Sequence, residues 1–577
     1  MNYRLIEGSL NDLYNVKETI LLNRGITDSK TYLNLTEKNT HDYMLLDNIE
    51  KAVECLNKHI ENNNNIHIIV DSDVDGFTSA SIMYRYLKKI KPDCKLTYSL
   101  HTRKQHGISE DIEIPSDCNL LIIPDAGSND VEQCMKLYEN GVDVIILDHH
   151  ICDVENNFAI VVNNQMCDYP NKNLSGVGIV YKFLQALDNE LWENYADEFL
   201  DIVSLGNISD VMDMREFETR YYVDLGLNNI NSKLFKALIE KQSYSMNNEV
   251  NITSVQFYIT PILNAMIRVG NFDDKCLLFR AFIETDEVFK YKKRGQDEEI
   301  DEDIYTRAAR LCSNAKSRQG KEVEKGVEKI EEIIRDRQID KDKIMFINIT
   351  DVLSDTLTGL VAIKIAEKYN KPCLLLRKQK DSTEDNVLYG GSCRNFDNSP
   401  IESLKNFLCS LGTFEFVQGH DNAAGISIPQ DNIVKTINKC NELLVNESFE
   451  KCFNVDFDID IEELDIAFIK TVDDMKHIFG QGLKEPLVHI KNIPVSRNEV
   501  MVMGKNKDTW KIISIDGYAF VKFKVGEDDA ILNEFNNGSD DYIGEIDVVG
   551  TVSVNNFNGI LTPQINIKDY VLRKEEW

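Results

Sequence analysis

The sequence predicts an α/β protein built in parts: an N-terminal helical segment (1–65), a parallel-sheet domain (66–300), a connector helix (301–340), a second α/β unit (341–448) and a small C-terminal β-barrel (449–577). Three observations predict this. Short apolar runs, IHIIV (66–70), NLLIIP (119–124) and VDVIIL (142–147), alternate with amphipathic helical stretches, the signature of a parallel sheet with helices on its faces. Within 305–337, Val323, Val327, Ile330 and Ile334 recur at helical spacing among charged residues. Beyond about 450, the segments LVHIKNIPV, TWKIISI, YAFVKFKV, IDVVGTVSV and ILTPQINIKDYVL alternate with Gly and Asn turns, as in a small barrel.

Each element follows from local pattern. Residues 1–65 read as helical and end in the polar ENNNN. IHIIV has the length and apolar character of a buried strand; it meets DSDVDG and then a helix-like TSASIMYRYLKKI. Residues 180–285 read as largely helical. Near 343 a second strand–helix–strand pattern begins: KIMFINIT, GLVAIKIAEKY, KPCLLLR. The 305–337 helix reads as a spacer packed on one face. No internal repeat is evident.

Composition bounds the function. Hydrophobic residues make up 42% and charged residues 28%, ordinary for a folded soluble chain. No apolar run is long enough to span a membrane, and MNYRLIEGSLNDLYNVKE carries charges where a signal peptide would be apolar, so a cytoplasmic protein is expected. Thirteen scattered cysteines without a Cys-x-x-Cys argue against a disulfide framework or a zinc ribbon. With 64 Lys and Arg against 96 Asp and Glu, the net charge is −32. Proteins that coat long nucleic acid are usually basic, so nucleic-acid binding here would need a local basic channel or bound divalent cations. The acidic run DEEIDED (297–303) reads as a solvated surface.

Polar clusters sit where a parallel sheet binds ligands, beyond the carboxyl ends of its strands: Asp71 to Gly76, Asp125 to Ser128, and Asp148 to His150. In DSDVDG, Asp71, Asp73 and Asp75 alternate, so all three project into one cleft. Clustered carboxylates repel, and cations hold them together. Gly76 is expected to let the chain turn into the next helix. The same segment also suits an Asp-rich loop that merely caps a helix. An EF-hand is a poor alternative, because the twelfth position from Asp71 is Ile82 rather than Glu. Asp148-His149-His150 can place one imidazole on a metal and the other on a substrate phosphate. Carboxylates plus one imidazole suit Mn²⁺ or Mg²⁺, and two ions about 3.5–4 Å apart could share a carboxylate. Asp75 is the candidate bridge, with Asp210 behind it.

These residues, in this order, resemble the DHH phosphoesterase superfamily. LLNRGI (21–26), VDSDVDGFTSA (70–80), IIPDAGS (122–128), ILDHHI (146–151), VVNNQ (161–165), NLSGVGIVYKF (173–183), LGNISDVMDM (205–214) and PILNAMIR (261–268) look like the successive motifs of RecJ-type single-stranded-DNA exonucleases. GGSCRN (390–395) and QGHDNAAG (418–425) resemble the DHHA1 domain. FGQGLKEP (479–486) and NNFNGILTPQI (555–565) resemble the C-terminal oligonucleotide-binding (OB) barrel of the same proteins. Ile69 and Val70 stand where relatives commonly have His and Gly, and Cys393, Asn395, Gln418 and Asp421 also depart from the usual pattern.

The resemblance implies a residue-by-residue assignment. Asp73, Asp75, Asp125, His149 and Asp210 would hold two Mn²⁺ or Mg²⁺ ions. His150 would contact the scissile phosphate or help hold the second ion, with Asp71 and Asp148 at the edge of the ligand set or just behind it. Ser392, Arg394, Gly419 and His420 would bind substrate phosphate, with Ala423, Ala424 and Gly425 allowing close backbone approach. Asn264 and Arg268 would line the path of the strand, and Arg103 and His106-Gly107 would contact nucleotides. The barrel would offer Trp510, Tyr518, Phe520 and Phe523 for base stacking, with Lys522 and Lys524 for phosphates; strand alternation could instead turn about half of these aromatics into core. The implied activity is 5′ to 3′ hydrolysis of single-stranded DNA to mononucleotides in recombination, repair or replication. The implied partners are single-stranded DNA and a single-strand-binding protein or helicase, with no membrane and a monomeric chain. Other readings share the motifs: a phosphodiesterase of short oligoribonucleotides or cyclic dinucleotides, which needs no barrel, a replication scaffold without metals, and an inorganic pyrophosphatase relative, which the DHHA1-like motifs disfavour.

Overall fold

In the first sheet, alternate side chains along each strand go to opposite faces, and both faces are covered. The structure, a computed structural model, describes residues 1–574 except 153, 294, 296, 297, 380, 381, 383–386, 398, 527, 539, 540 and 558. Asp297 of the acidic run and Asn558 of the last motif therefore lie outside the described residues. The chain forms two compact units. One comprises Arg24–Ser317 and Met475–Glu485; the other comprises Met1–Asn23, Arg318–Asp474 and Pro486–Trp577. Strand β1 (Asn2–Leu5) belongs to the second.

The first unit begins its α/β core with α1 (Ile49–Glu61), β2 (Ile66–Val70), α2 (Val74–Ile90), β3 (Leu96–Leu100), β4 (Leu120–Pro124), α3 (Val131–Glu139), β5 (Asp143–Asp148) and β6 (Ile160–Asn163). The strands order β3-β2-β4-β5-β6, all parallel. Ile66, Ile68 and Val70 share one core with Leu120, Ile122, Ile145 and Leu147, while Ile69 packs on the opposite face with Leu121, Ile123, Val144 and Ile146. That two-sided burial is why the runs are continuously apolar; each such side chain contributes about 1.5–3 kcal/mol. The strand order reverses between β2 and β4, and the crevice beyond their carboxyl ends is where such sheets bind ligands. Of the helices that follow, α4 (Gly176–Leu191) packs on β4 and β5, and α5 (Leu200–Ser209) and α6 (Thr260–Val269) pack on α2.

Strands β7 (Val288–Lys292) and β8 (Glu299–Asp303) pair antiparallel, and helix α7 (Ile304–Arg337) follows as one unbroken helix of 34 residues, with Val323, Ile330 and Ile334 buried. It leads to a mixed sheet with strands β9 (Met345–Asn348), β10 (Cys373–Lys378), β11 (Leu388–Arg394), β12 (Phe416–His420) and β13 (Ala423–Pro429), ordered β12-β13-β11-β10-β9. Helix α8 (Thr358–Tyr369) packs on β10 and β11. After β14 (Cys452–Val455), seven strands form one further sheet: β15 (Phe457–Asp460), β16 (Val488–Ser496), β17 (Val500–Met503), β18 (Thr509–Ile513), β19 (Ala519–Phe523), β20 (Tyr542–Phe557) and β21 (Ile560–Arg573). Their order is β15-β16-β20-β21-β19-β18-β17.

Three local expectations change. The N-terminal segment does not begin as helix: Asn2–Leu5 is a strand paired in parallel with Cys452–Val455. A pairing across about 450 residues leaves no trace in local periodicity. Met475–Glu485, which carries FGQGLKE, groups with the first compact unit. Gln481 O accepts from Met214 N at 2.9 Å, and a Cβ on Gly480 would sit 2.7 Å from Ile252 and 2.9 Å from Met214, all within the first unit. Of the four aromatics considered for stacking, Trp510, Tyr518 and Phe520 are core, and Phe523 alone is exposed, at 54%. Trp510 and Tyr518 find partners for their polar tips: Trp510 Nε1 donates to Asp529 Oδ1 at 3.0 Å, and the Tyr518 hydroxyl donates to Leu464 O at 3.0 Å. Amphipathic rings with satisfied polar tips fill a small β domain well. Lys522 is also committed, donating to Lys568 O.

These placements predict opposite outcomes for two substitutions. Trp510→Ala should lower unfolding stability by about 3–5 kcal/mol, whereas Phe523→Ala should change it by no more than about 0.5 kcal/mol. Denaturant unfolding of both variants checks this, and equal losses would contradict it.

Candidate metal centre

The end of β2 delivers Asp71, Ser72 and Asp73, and Asp73 caps α2 by accepting from Gly76 N at 2.9 Å. Asp75 follows in the first turn of α2. Gly76 is helical here, so its role is not a sharp turn. A Cβ at this position would lie 2.5 Å from Asp71 Cβ, and only glycine lets the helix start that close to the strand end.

Asp75 is buried and points at the start of α4. Its carboxylate accepts from Gly176 N at 2.6 Å, Val177 N at 3.2 Å and Ser175 Oγ at 3.1 Å. A helix N-terminus with free amides is a ready anion site. Burial, with the charge of Asp73 adding to it, nevertheless lifts Asp75 to about 6. Gly176 is required for a second reason: a Cβ there would fall 2.3 Å from Asp125 Oδ1.

Asp125 follows β4 with φ +70, a left-handed conformation that Asp tolerates better than most residues, and its N–H donates to Leu147 O at 2.7 Å. Both its side-chain oxygens are buried and accept no hydrogen bond among the described residues. Burial and the charges of Asp75, Asp73, Asp71 and Asp210 push its carboxyl well above the ordinary range. Asp210 ends α5, and Val211 behind it is held at φ +60, unusual for a β-branched residue and a source of local strain. Burial, then Asp75 and Asp73, also raise Asp210 well above the ordinary carboxyl range.

His149 sits among these groups, just past β5. Its Nε2 lies 3.3 Å from Asp125 Oδ1, 3.4 Å from Asp210 Oδ2 and 3.9 Å from Asp75 Oδ2. Asp148 holds both histidines. It accepts from the N–H groups of His149 (2.7 Å), His150 (3.1 Å) and Ser128 (3.1 Å), and lies 2.8 Å from His150 Nδ1. Burial alone would raise Asp148, but the His150 hydrogen bond and the charges of both imidazoles hold it far below the usual range. For His150, burial works against charge, yet Asp148, Asp210 and Asp73 raise it to about 9.

Asp71 lies beside this group and is tied to the loop after β3. Its Oδ1 accepts from Gly107 N at 3.0 Å, and its Oδ2 lies 2.5 Å from His106 Nδ1. Around this crevice, ligand-capable atoms of the described residues fall into three sets of close neighbours: Asp75, His149 and Asp210; Asp125, His149 and His150; and Asp71, Asp73 and His106. Buried carboxylate oxygens without donors, beside one imidazole, are the acceptors a hard-to-borderline cation calls for, so the residues fit Mn²⁺ or Mg²⁺.

The other expected contact residues are dispersed. Arg103 is exposed, with its N–H on Asp111 at 3.2 Å. Asn264 and Arg268 lie on α6, and Asn264 Oδ1 and Arg268 Nε are buried without hydrogen-bond partners among the described residues. Thr260, at the start of α6, shares a 2.9 Å hydrogen bond with Ser209, next to Asp210. Within the second unit, Arg394 on β11 and His420 on β12 stand level on either side of Ala423, two strand spacings apart. Ser392 pairs with Gly425 and Gly419 with Ala424, Gly419 taking φ +130. Arg394 lies over Gly359 of α8, where a Cβ would be 2.5 Å from its Nη2.

Two features of this geometry were not singled out in the sequence. One is the Gly176 and Val177 amides under Asp75, signalled only by Ser-Gly at a helix start. The other is His101, buried with its Nε2 3.7 Å from Asp71 Oδ1, for which no sequence signal exists.

Comparison with known proteins agrees with this architecture. The profile of the DHH family, N-terminal domain, matches residues 65–207, and that of the RecJ OB domain matches residues 455–569. A protein of Bacillus subtilis (strain 168) named "Putative SPbeta prophage-derived single-strand DNA-specific exonuclease YorK" is 38% identical over 98% of this chain and 97% of its own length. The single-stranded-DNA-specific exonuclease RecJ of Bacillus subtilis (strain 168) is 26% identical over 97% of this chain and 68% of its own. Among solved structures, RecJ from Thermus thermophilus in complex with Mn²⁺ superposes with a TM-score of 0.70 at 18% identity, covering 100% of this chain and 79% of that one. The same protein in complex with Mg²⁺ gives 0.65 at 16%, covering 100% and 78%. At such identities the structural likeness speaks for the fold.

The titration shifts fix the sign of a pH effect. Asp75 (about 6), Asp125 and Asp210 are raised above their unfolded values, so the native state holds more protons than the unfolded chain, and stability falls as pH rises through their native pKa values. His150, raised to about 9, contributes stability that is full below about 6.5 and is lost as pH rises through 9, the same direction. Metal-free protein should therefore melt at progressively lower temperature from pH 5 to pH 8. Mn²⁺ should raise the melting temperature more at pH 8 than at pH 5. Asp125→Asn should be at least as stable as the parent in chelator at pH 8, yet gain little from Mn²⁺. Thermal melts across pH, with and without Mn²⁺, test all three; a metal-free melting temperature that rises with pH would contradict the assignment.

Proposed function

The chain belongs to the RecJ-type family of DHH phosphoesterases, and from that premise we propose that it is a divalent-metal-dependent exonuclease that hydrolyses single-stranded DNA from the 5′ end, releasing mononucleotides. The observation that carries the reading is the convergence of Asp75, Asp125 and Asp210 on His149 Nε2 at the switch point of the parallel sheet, with both oxygens of Asp125 buried and without donors. In this reading Asp73, Asp75, Asp125, His149 and Asp210 hold two Mn²⁺ or Mg²⁺ ions. Bound ions supply Lewis acidity, activating water and offsetting charge on the attacking and leaving oxygens of an in-line displacement at phosphorus.

The chain's own groups do the rest. The amides of Gly176 and Val177 hold Asp75 in one orientation. Asp148 fixes the His150 ring through Nδ1 and keeps it protonated at neutral pH, so half-exposed His150 can donate from Nε2 to a phosphate oxygen. Asn264 and Arg268, with side-chain atoms that lack partners among the described residues, are suited to the sugar–phosphate chain. Arg103 would contact nucleotides. Ser392 and Arg394 on β11 and Gly419 and His420 on β12, the two strands that flank β13 in the second unit, form a candidate phosphate-binding surface. The RecJ OB domain match supports a polymeric substrate over a dinucleotide, with exposed Phe523 and Lys524 as strand contacts. Duplex DNA would be a poor substrate. The setting would be recombination, repair or replication in the cytoplasm, as a monomer working beside a single-strand-binding protein or helicase.

Digestion of 5′- and 3′-labelled DNA and RNA strands with Mn²⁺ or Mg²⁺ tests this directly. Single-stranded DNA should release its 5′ label first as a mononucleotide, duplex should be spared, and Asp75→Ala should cut the rate by about 10³-fold or more with the fold intact by circular dichroism. Undiminished hydrolysis by Asp75→Ala would refute the metal assignment; release of the 3′ label first would refute the polarity.

A further inference from the structure

We propose that His106 is a metal ligand, forming with Asp71 and Asp73 a second cation site whose imidazole makes it select Mn²⁺ over Mg²⁺. The inference rests on the metal-dependent reading above and deepens it: it places the second of the two ions at Asp73 on the side away from His149 and adds Asp71 and His106 to its ligands. Ligand-capable atoms of Asp71, Asp73 and His106 all lie within 4.8 Å of one another. Asp71 is buried and His106 half-exposed, so the site has a closed floor and an open side for an ion from solvent.

A second observation points into the same place. His101 is fully enclosed, and its Nε2 has no hydrogen-bond partner among the described residues while standing 3.7 Å from Asp71 Oδ1. Its tautomer follows from its neighbours. Ser109 Oγ donates to Asp111 Oδ1, so it can only accept from His101 Nδ1, at 3.0 Å; Asp111 Oδ1 is a further acceptor at 3.2 Å. A proton therefore sits on Nδ1, and the Asp111 carboxylate on that nitrogen orients the ring so that Nε2 faces Asp71, as carboxylates orient metal-binding imidazoles.

The loop that carries His106 is anchored. Ser72 Oγ donates to Gln105 O, Gly107 N donates to Asp71 Oδ1 at 3.0 Å, and Ile108 N donates to Asp130 Oδ2 at 2.7 Å. Gly107 itself takes φ +62, and a Cβ there would fall 2.1 Å from Asp130 Oδ2, so the turn that presents His106 depends on glycine. Chemistry then sets the preference. Mg²⁺ favours oxygen donors and retained water, whereas imidazole suits the softer first-row ions. A site with one or two imidazoles beside two carboxylates favours Mn²⁺.

Electron paramagnetic resonance titration of the full-length protein with Mn²⁺ provides the test, with His106→Gln as the variant, because Gln retains a donor for Asp71 but removes the imidazole. The parent should bind two Mn²⁺ ions. The variant should keep one and bind the other at least about tenfold more weakly, and its Mn²⁺-to-Mg²⁺ activity ratio should fall by a similar factor. Two ions bound with unchanged affinity by His106→Gln, or a single ion in both proteins, would overturn the proposal. No Mn²⁺ binding by the parent would instead overturn the metal-dependent reading. Should the variant fail to fold, crystals of the parent soaked in Mn²⁺ decide the matter: an anomalous peak among Asp71, Asp73 and His106 is expected, and its absence beside a filled His149 site would refute the assignment.

Discussion

Mutual repulsion among buried carboxylates is the constraint around which the first unit is built. Asp71, Asp75 and Asp125 are almost wholly enclosed, Asp210 stands against them, and each raises the cost of ionising the next. Left to propensity alone, such a cluster would be expelled to solvent or neutralised. It stays because the backbone over-determines it. Two glycines admit no Cβ between the carboxylates and their supports, Asp125 is locked in a left-handed conformation, and Val211 is strained directly behind Asp210. The polypeptide stores unfavourable energy at the place where a cation would release it, the pattern expected of a site where function takes precedence over stability.

The sheet topology makes this arrangement possible. Parallel strands bring several chain segments to one edge, and the reversal of order between β2 and β4 opens a crevice there rather than closing it with a helix. The helix start at Gly176 then enters from outside the sheet and aims its amides at Asp75, contributing positive field without a charged side chain. The two histidines after β5 are distinguished by environment: His149 is turned inward among carboxylates, and His150 is pinned by Asp148 and half-exposed. One strand end thus offers both a group suited to coordination and a group suited to donating a proton.

Much of the site was readable because it depends on strand ends. Continuous apolar runs announced β2, β4 and β5, and a carboxylate or imidazole immediately after each is a pattern that local sequence can carry. The structure brings Asp75, Asp125 and Asp210 around His149 and places Asp73 beside Asp71 and His106. His101 was not readable, since its meaning lies in the distance to Asp71 and in the partners that fix its tautomer, none of which is local. The aromatics of the last domain show the same boundary from the other side. Periodicity placed Trp510, Phe520 and Phe523 on strands, but which face is buried depends on the partner layer, and Trp510 and Phe520 turned inward. The strand at Asn2–Leu5 was invisible for the plainest reason: its partner lies about 450 residues further along the chain.

That last pairing bears on how the molecule is made. During synthesis β1 emerges well ahead of its partner β14, which is completed only after about 450 further residues have been added. At translation rates of about 5–20 residues per second, that interval is on the order of half a minute to a minute and a half. Throughout it, the first residues of the chain have no strand to join, while the parallel-sheet unit that follows them can already collapse around its own core. Strand β1 is therefore made early yet seated late, and the nascent chain carries an unmatched strand edge throughout that interval.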